Sequence, residues 1–471
     1  MSGAISGEDP IKRRDRYIML GHILEPKVFM LRNGDKWTLP HFVPDERDVV
    51  EVGHVVRKAN KLWGMDATVL RCARYYADIE VEKRTEAVFA MENHSKEWNP
   101  PLDGQWVDNT LLRDLELVIP EHRETIQTWL TERETGSYPA QRSPWAKEGW
   151  LSGVQSWIEQ ELSHLGIAAT GQVRQVKTWS ISCLLTVETN QGAIYFKAVP
   201  PIFSQEPLIT SEMTRLFPKN VPAPLVTRIE PTESWMLLRD FAAPELRGNA
   251  DMQQWAEALK VLSRMQIASI AEVDALLTGG CADRRLQRLV EHIDPLLDDP
   301  DAVGELESEE VEKLKAFAPR LKEMCAQLAA YGVPQTLIHG DFYGGNVVVK
   351  DGRYIVFDWT DAAVAHPFFD LPTFFEFDIP LDQRETLAQA YLRLWTDHET
   401  GQRLQEAYRL SQPLALMHHA VSYRNIVAVM EPSSRWEMFG GSTSWLRMLL
   451  KWIMENAADV QKERGDTSGL V

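Results

Sequence analysis

Basic charge is in short supply: 50 Lys and Arg stand against 68 Asp and Glu in 471 residues, a formal net charge of −18. A protein gripping a nucleic-acid backbone by charge would carry the opposite excess, so no nucleic-acid partner is expected. Cysteine is scarce as well. The four present, Cys72, Cys183, Cys281 and Cys325, never approach the CxxC spacing of a zinc or redox pair, which suits a reducing compartment. No run of about 18 apolar residues occurs. The opening MSGAISGEDPIKRRDR has charges with no apolar stretch behind them. The expectation is a soluble, cytoplasmic protein with no membrane partner, its oligomeric state left open.

At 44% hydrophobic and 25% charged residues the composition is that of an ordinary globular protein, and the length suggests two or three domains. The Gly-, Ser- and Pro-containing stretch Glu134 to Trp145, ETGSYPAQRSPW, separates two helical patterns. It divides a first domain, 1–140, from the rest of the chain. Residues 146–240 alternate as strands, with a hairpin at Asn190-Gln191-Gly192 and a helix from Glu206 to Phe217. Residues 241–458 turn helical, interrupted by two short strands at Asn346 to Val349 and Tyr354 to Phe357, and 459–471 form a tail. A sheet-rich lobe followed by a helical lobe is a two-lobed α+β plan.

The sharpest feature is LIHGDFYGGNVVV, Leu337 to Val349, followed by YIVFDW, Tyr354 to Trp359. Four fixed letters spaced as HGDxxxxN should arise by chance about 0.003 times in a chain this long, at about 5% usage per residue. Phosphoryl transfer to a hydroxyl needs a carboxylate near the acceptor proton and oxygen ligands for Mg²⁺. Asp341 suits the first role. Asn346 and Asp358 supply hard oxygens from neighbouring strand ends, as Mg²⁺ prefers.

These residues resemble the aminoglycoside phosphotransferase and choline kinase type of small-molecule kinase, which shares the protein-kinase fold, over about Trp145 to Asn456. The resemblance implies ATP and Mg²⁺ as cofactors, a small-molecule acceptor, Asp341 as catalytic base, and Asn346 and Asp358 as metal ligands. His339 would be structural, and Asp370, in the segment AHPFFDL, a buried helix-capping or loop-anchoring group. Lys197, in IYFKA, falls on the strand where the family keeps its phosphate-gripping lysine. Glu206 is preferred as its ion-pair partner, with Glu212 as the rival. Where protein kinases place a glycine-rich loop, this chain has QVKTWSISC, Gln175 to Cys183, with no glycine; Ser180 and Ser182 are possible phosphate contacts. The Phe-rich stretch Phe368 to Asp378 reads mostly as core, with an acceptor pocket for a cationic substrate as the alternative, and His418 and His419 as packed or surface residues. The alternative is a catalytically silent nucleotide-binding regulator on the same fold.

Residues 12 to 133 show WxLP (Trp37 to Pro40), a helix expected from about Asp45 to Trp63, then LWGM, strands and two helices. That order resembles a Nudix domain. Aligning its metal-binding box on Gly64 keeps Arg57 but puts Lys58 and Lys61-Leu62 where glutamates belong, so pyrophosphate hydrolysis is not expected. The first domain is expected to be a degenerate, non-catalytic Nudix-like α/β module.

Overall fold

The computed structural model describes residues 11–456; the 459–471 tail lies outside them. The architecture is mixed α+β, as expected, and divides into two compact units. One runs through Ser204 and adds Leu225–Asp240 and Val429–Glu437; the other comprises Gln205–Pro224, Phe241–Ala428 and the chain from Met438.

Among the described residues, the first unit holds three sheets. In the leading residues, strands Arg13–Leu20 and Arg84–Asn93 run parallel, flanked by Ala67–Asp78 and His41–Phe42. A three-stranded sheet is centred on Val28–Asn33. The helix expected from Asp45 begins only at Gly53 and ends at Trp63. Asp48 accounts for the difference: its carboxylate accepts the backbone N–H groups of Val50 and Glu51 (2.7 and 3.2 Å), a local turn that competes with helix. Asp45 and Glu46 instead fold back onto Lys58 and Arg57.

The third sheet has five antiparallel strands, in the order Val226–Ile229, Ser234–Arg239, Gly192–Val199, Ser182–Thr189, Arg174–Trp179. The last of these is a correction to the sequence pattern, which suggests only a loop there. Its neighbour in space is Ala67–Asp78: the Gln175 side-chain amide bonds both the N–H and the C=O of Val69 (2.7 Å each). One face of this sheet, carrying Cys183, Leu185, Val187, Ile194, Phe196 and Ala198, packs with helix Trp150–His164.

The second unit is mostly helical, built on Met252–Ser269, Leu286–Leu297, Ser308–Leu328, Gly401–Val429 and Gly441–Glu455. Their apolar stripes meet in one large core with Trp255, Trp359 and Trp395 almost fully buried. Phe368, Phe369, Phe374 and Phe375 belong to that core, as expected; the side chains of Phe377 and Asp378 lie outside the described residues. Two short strands, Val347–Lys350 and Arg353–Val356, form a hairpin at its edge. No described helix is long and apolar enough to cross a membrane.

Candidate active site

Strand Thr336–Ile338 delivers the chain into the loop His339 to Tyr343. That loop is held from beneath by Asp370, fully buried, whose two oxygens accept the N–H groups of His339 (2.9 Å) and Gly340 (2.8 Å). Gln266 donates to the same carboxylate (2.9 Å) and is fixed in turn by the Tyr391 hydroxyl (2.5 Å). Burial pushes the Asp370 carboxyl up to about 6 while these three donors pull it down, so it is ionised at neutral pH. Asp370 thus has the anchoring role expected of it.

His339 ties the loop to the neighbouring hairpin. Its Nε2 lies 2.9 Å from the Phe357 carbonyl, which can only accept, so Nε2 carries the proton and Nδ1 is left to accept the Asp341 N–H (3.3 Å). Gly340 has φ +82°, and a Cβ there would sit 2.2 Å from the Asp361 carbonyl oxygen. Only glycine fits.

Asp341 is half-buried, and the Asn346 side-chain amide donates to both its backbone carbonyl (2.8 Å) and its carboxylate (3.2 Å). Pairing of Val347 with Val356, and the Phe357 N–H on the Asn346 carbonyl (3.1 Å), bring the two hairpin ends together. Asp358 follows immediately, exposed to solvent and held at φ 63°, ψ 61°, a left-handed conformation uncommon outside glycine. Thr360 donates its hydroxyl to Asp358 Oδ1. Strained backbone held in place by its surroundings is a frequent mark of a functional position.

The donor set fits Mg²⁺. With Nδ2 of Asn346 spent on Asp341, its side-chain oxygen is the atom left for a cation, and Asp358 follows Phe357, whose N–H bonds the Asn346 backbone carbonyl. Mg²⁺ characteristically takes one or two such protein oxygens and completes its shell with water and phosphate. Among the described residues no group of three or more His, Cys, Asp or Glu could hold a metal ion by itself.

Two tyrosines to which the sequence assigns no role lie near these carboxylates. Tyr343 and Tyr423 both titrate above the ordinary tyrosine range, chiefly through burial and then through the Asp341 carboxylate, with Asp358 also acting on Tyr343 and Asp361 on Tyr423. Both phenols stay protonated near the loop carboxylates. Arg247 lies over the Tyr343 ring at 4.7 Å. Arg284 donates to Ser422 (2.9 Å), whose hydroxyl points toward Asp361 (3.4 Å). Tyr343 lies inside the motif, whereas Tyr423 comes from helix Gly401–Val429 and Arg284 from the connection before helix Leu286–Leu297, distant positions with no local signal.

The remaining expected residues divide between the units. Glu206, in the second, is the first residue of helix Glu206–Leu216 and is buried, where the helix dipole favours a carboxylate. The preceding Gln205 reaches the Thr360 carbonyl at 3.5 Å, so this helix start adjoins the segment after Asp358. Glu212 instead pairs with Arg215 (2.9 Å) on the exposed side.

Lys197, in the first unit, lies on strand Gly192–Val199 between Phe196 and Ala198, which face the apolar core, so it projects from the opposite face. Lys177, Leu184 and Lys197 stand in one cross-strand row, and Ser182 shares that face one row nearer the hairpin turn. Ser182 Oγ accepts the Trp179 indole N–H (2.6 Å), which leaves its own proton to donate.

Residues 209–407 match the family model described as phosphotransferase enzyme family. A glucosamine kinase of Streptacidiphilus jiangxiensis is 43% identical over 60 residues, 12% of this chain and only 14% of that protein. Among solved structures, the GDP and kanamycin complex of APH(2'')-IIia gives a TM-score of 0.46 at 12% identity, covering 65% of this chain and 99% of that one. A choline/ethanolamine kinase family protein from Mesorhizobium loti gives 0.43 at 13%, covering 64% and 94%. The family match thus spans the segment that carries His339, Asp341, Asn346 and Asp358.

Proposed function

We propose that this chain is an ATP- and Mg²⁺-dependent kinase moving the γ-phosphate of ATP to a hydroxyl of a small molecule, an aminoglycoside, amino-alcohol or sugar-like acceptor. The observation that carries this is the contact of Asn346 with Asp341 beside Asp358, within a domain matching the phosphotransferase family. The partial match to a glucosamine kinase supports an amino-sugar among the acceptors to try first.

In this scheme the Asp341 carboxylate orients the acceptor hydroxyl and takes its proton as the oxygen bonds to the γ-phosphorus. The bond from that phosphorus to the β-γ bridging oxygen breaks, and ADP leaves. Asn346 and Asp358 would hold Mg²⁺, which when bound neutralises charge on the phosphate oxygens. Asn346 also fixes Asp341 in one orientation. Lys197 takes the α/β phosphates, and Glu206 is its proposed ion-pair partner, supported by the burial of Glu206 and the separate engagement of Glu212. Residues 1–140 are proposed as a non-catalytic Nudix-like module. Support for the absence of catalysis comes from Lys58, which occupies a glutamate position of the metal box and pairs with Asp45 (3.0 Å).

Incubation with ATP, Mg²⁺ and a panel of aminoglycosides, amino-alcohols and sugars, read by mass spectrometry, tests the assignment. One acceptor gaining a phosphate group supports it. Nucleotide bound with no acceptor modified across the panel favours the silent regulator.

A further inference from the structure

The two-residue turn Ser180-Ile181, which closes the hairpin between strands Arg174–Trp179 and Ser182–Thr189, contains no glycine and is pinned from outside. Glu437 Oε2 accepts the Ser180 N–H (2.7 Å). Ser143 donates its hydroxyl to the Ser180 carbonyl (3.0 Å), and the Trp145 indole donates to the Trp179 carbonyl (2.8 Å). Three consecutive backbone groups at the tip are thus held by side chains from two distant segments.

Those segments are themselves locked together. Arg142, almost wholly buried, forms double hydrogen bonds to Glu132 (3.0 and 2.6 Å) and to Glu431 (2.5 and 2.9 Å). Arg71 adds its charge at 3.7 Å from Glu132 and 3.9 Å from Glu431, giving two cations and two anions. Trp436 stacks on Tyr75 at 4.3 Å. The strand Ala67–Asp78, the helix His122–Thr135, the connection at Arg142 to Trp145 and the segment Val429–Glu437 form one bracket around the turn.

We propose that Glu437, with Ser143 and Trp145, is a positioning residue for the turn that meets the nucleotide phosphates, and that the residues before Trp145 influence nucleotide affinity through this bracket. The inference rests on the kinase reading above, in which Lys197 and the turn serve the phosphates. A glycine-rich loop must be ordered by its ligand at an entropic cost; a turn held on three backbone groups is ordered beforehand. The bracket also separates the two serines. Ser180 gives its N–H to Glu437, whereas Ser182, on the face of Lys197, keeps a hydroxyl proton for a phosphate oxygen.

Equilibrium binding of ATP with Mg²⁺ to the full chain, measured by calorimetry beside steady-state kinetics, tests this. Glu437→Ala is expected to raise Kd and KM for ATP roughly 10-fold with kcat changed by no more than about 3-fold, because one hydrogen bond that fixes the turn is lost. Glu437→Gln keeps an acceptor oxygen and is expected to recover most of that loss. Trp145→Phe, which removes the indole donor but keeps an aromatic ring in the core, is expected to raise Kd about 3-fold, and decides the matter should Glu437→Ala not fold. Wild-type Kd in both Glu437→Ala and Trp145→Phe, or equal loss in the Ala and Gln variants, overturns the inference. Absence of ATP binding by the wild type would instead overturn the kinase reading.

Discussion

Gly340 and Asp370 form the joint on which the candidate site turns: the Gly340 N–H meets Asp370 Oδ1 at 2.8 Å, one residue before Asp341. Both partners are constrained, Gly340 by φ +82° and by the Asp361 carbonyl against its Cα, and Asp370 by complete burial among three donors. Gly340→Ala is therefore expected to lower stability by about 3 kcal/mol or more, combining an unfavourable φ with a backbone clash. Asp370→Asn would set an amide N–H₂ against a backbone donor and cost roughly 2–3 kcal/mol. Urea denaturation of each variant reads these losses; stability within about 0.5 kcal/mol of wild type would show that the loop does not depend on this joint.

Asp358 offers a separate handle through the metal. Asp358→Ala removes the only carboxylate proposed for Mg²⁺, so the Mg²⁺ concentration for half-maximal activity should rise roughly 10-fold or more. A Mg²⁺ titration at fixed ATP measures it. An unchanged midpoint would assign the metal elsewhere.

His419 gives a pH signature. Its ring stacks on Trp445 at 4.6 Å, Nε2 donates to the Phe369 carbonyl (2.9 Å), and burial pushes its pKa down to about 4. A group with a depressed folded-state value loses its stabilising effect on acidification: it is present in full above the unfolded value of about 6.5 and disappears as pH falls through about 4. The stability advantage of wild type over His419→Gln should shrink across that window, by roughly 3 kcal/mol at the limit. Chemical denaturation at intervals from neutral to acid pH gives the curve, and a pH-independent difference would mean that the imidazole is not buried in its neutral form.

Arg142 is expected to matter for folding of the first unit. Removing one member of a buried, doubly bonded ion cluster strands the charges of Glu132 and Glu431, so Arg142→Ala should cost about 3–5 kcal/mol. Thermal or urea unfolding tests this, and a loss below about 1 kcal/mol would mean that water reaches the cluster and screens it.

The parts readable in the sequence are those whose signal is local. His339, Asp341, Asn346 and Asp358 stand within 20 residues of one another, and a single hairpin is enough to join them. The anchoring role of Asp370 can be anticipated from its position, whereas for His418 and His419 the pattern leaves packed and surface roles open and the structure buries both. Features that depend on long-range contact leave no such trace. Glu437 lies 257 positions from Ser180, and Glu431 lies 289 from Arg142. Strand Arg174–Trp179 is hidden because Gln175 satisfies a backbone in another sheet and the strand is interrupted by a bulge between Gln175 and Lys177. The shortened helix at Gly53 is a local matter, decided by Asp48 capturing two N–H groups, and an Asx turn competing with helix is the signal that the periodicity alone passes over.

The role of Asp341 is open to direct test by transfer of label from γ-labelled ATP to an acceptor, compared between wild type and Asp341→Asn at equal Mg²⁺. Label is expected to reach one acceptor with wild type, Asp341→Asn to slow turnover by about 10²–10⁴-fold, and ATP affinity to change by less than about 3-fold. Equal transfer rates in the two proteins, or loss of ATP affinity in proportion to loss of turnover, would contradict that role and with it the proposed chemistry.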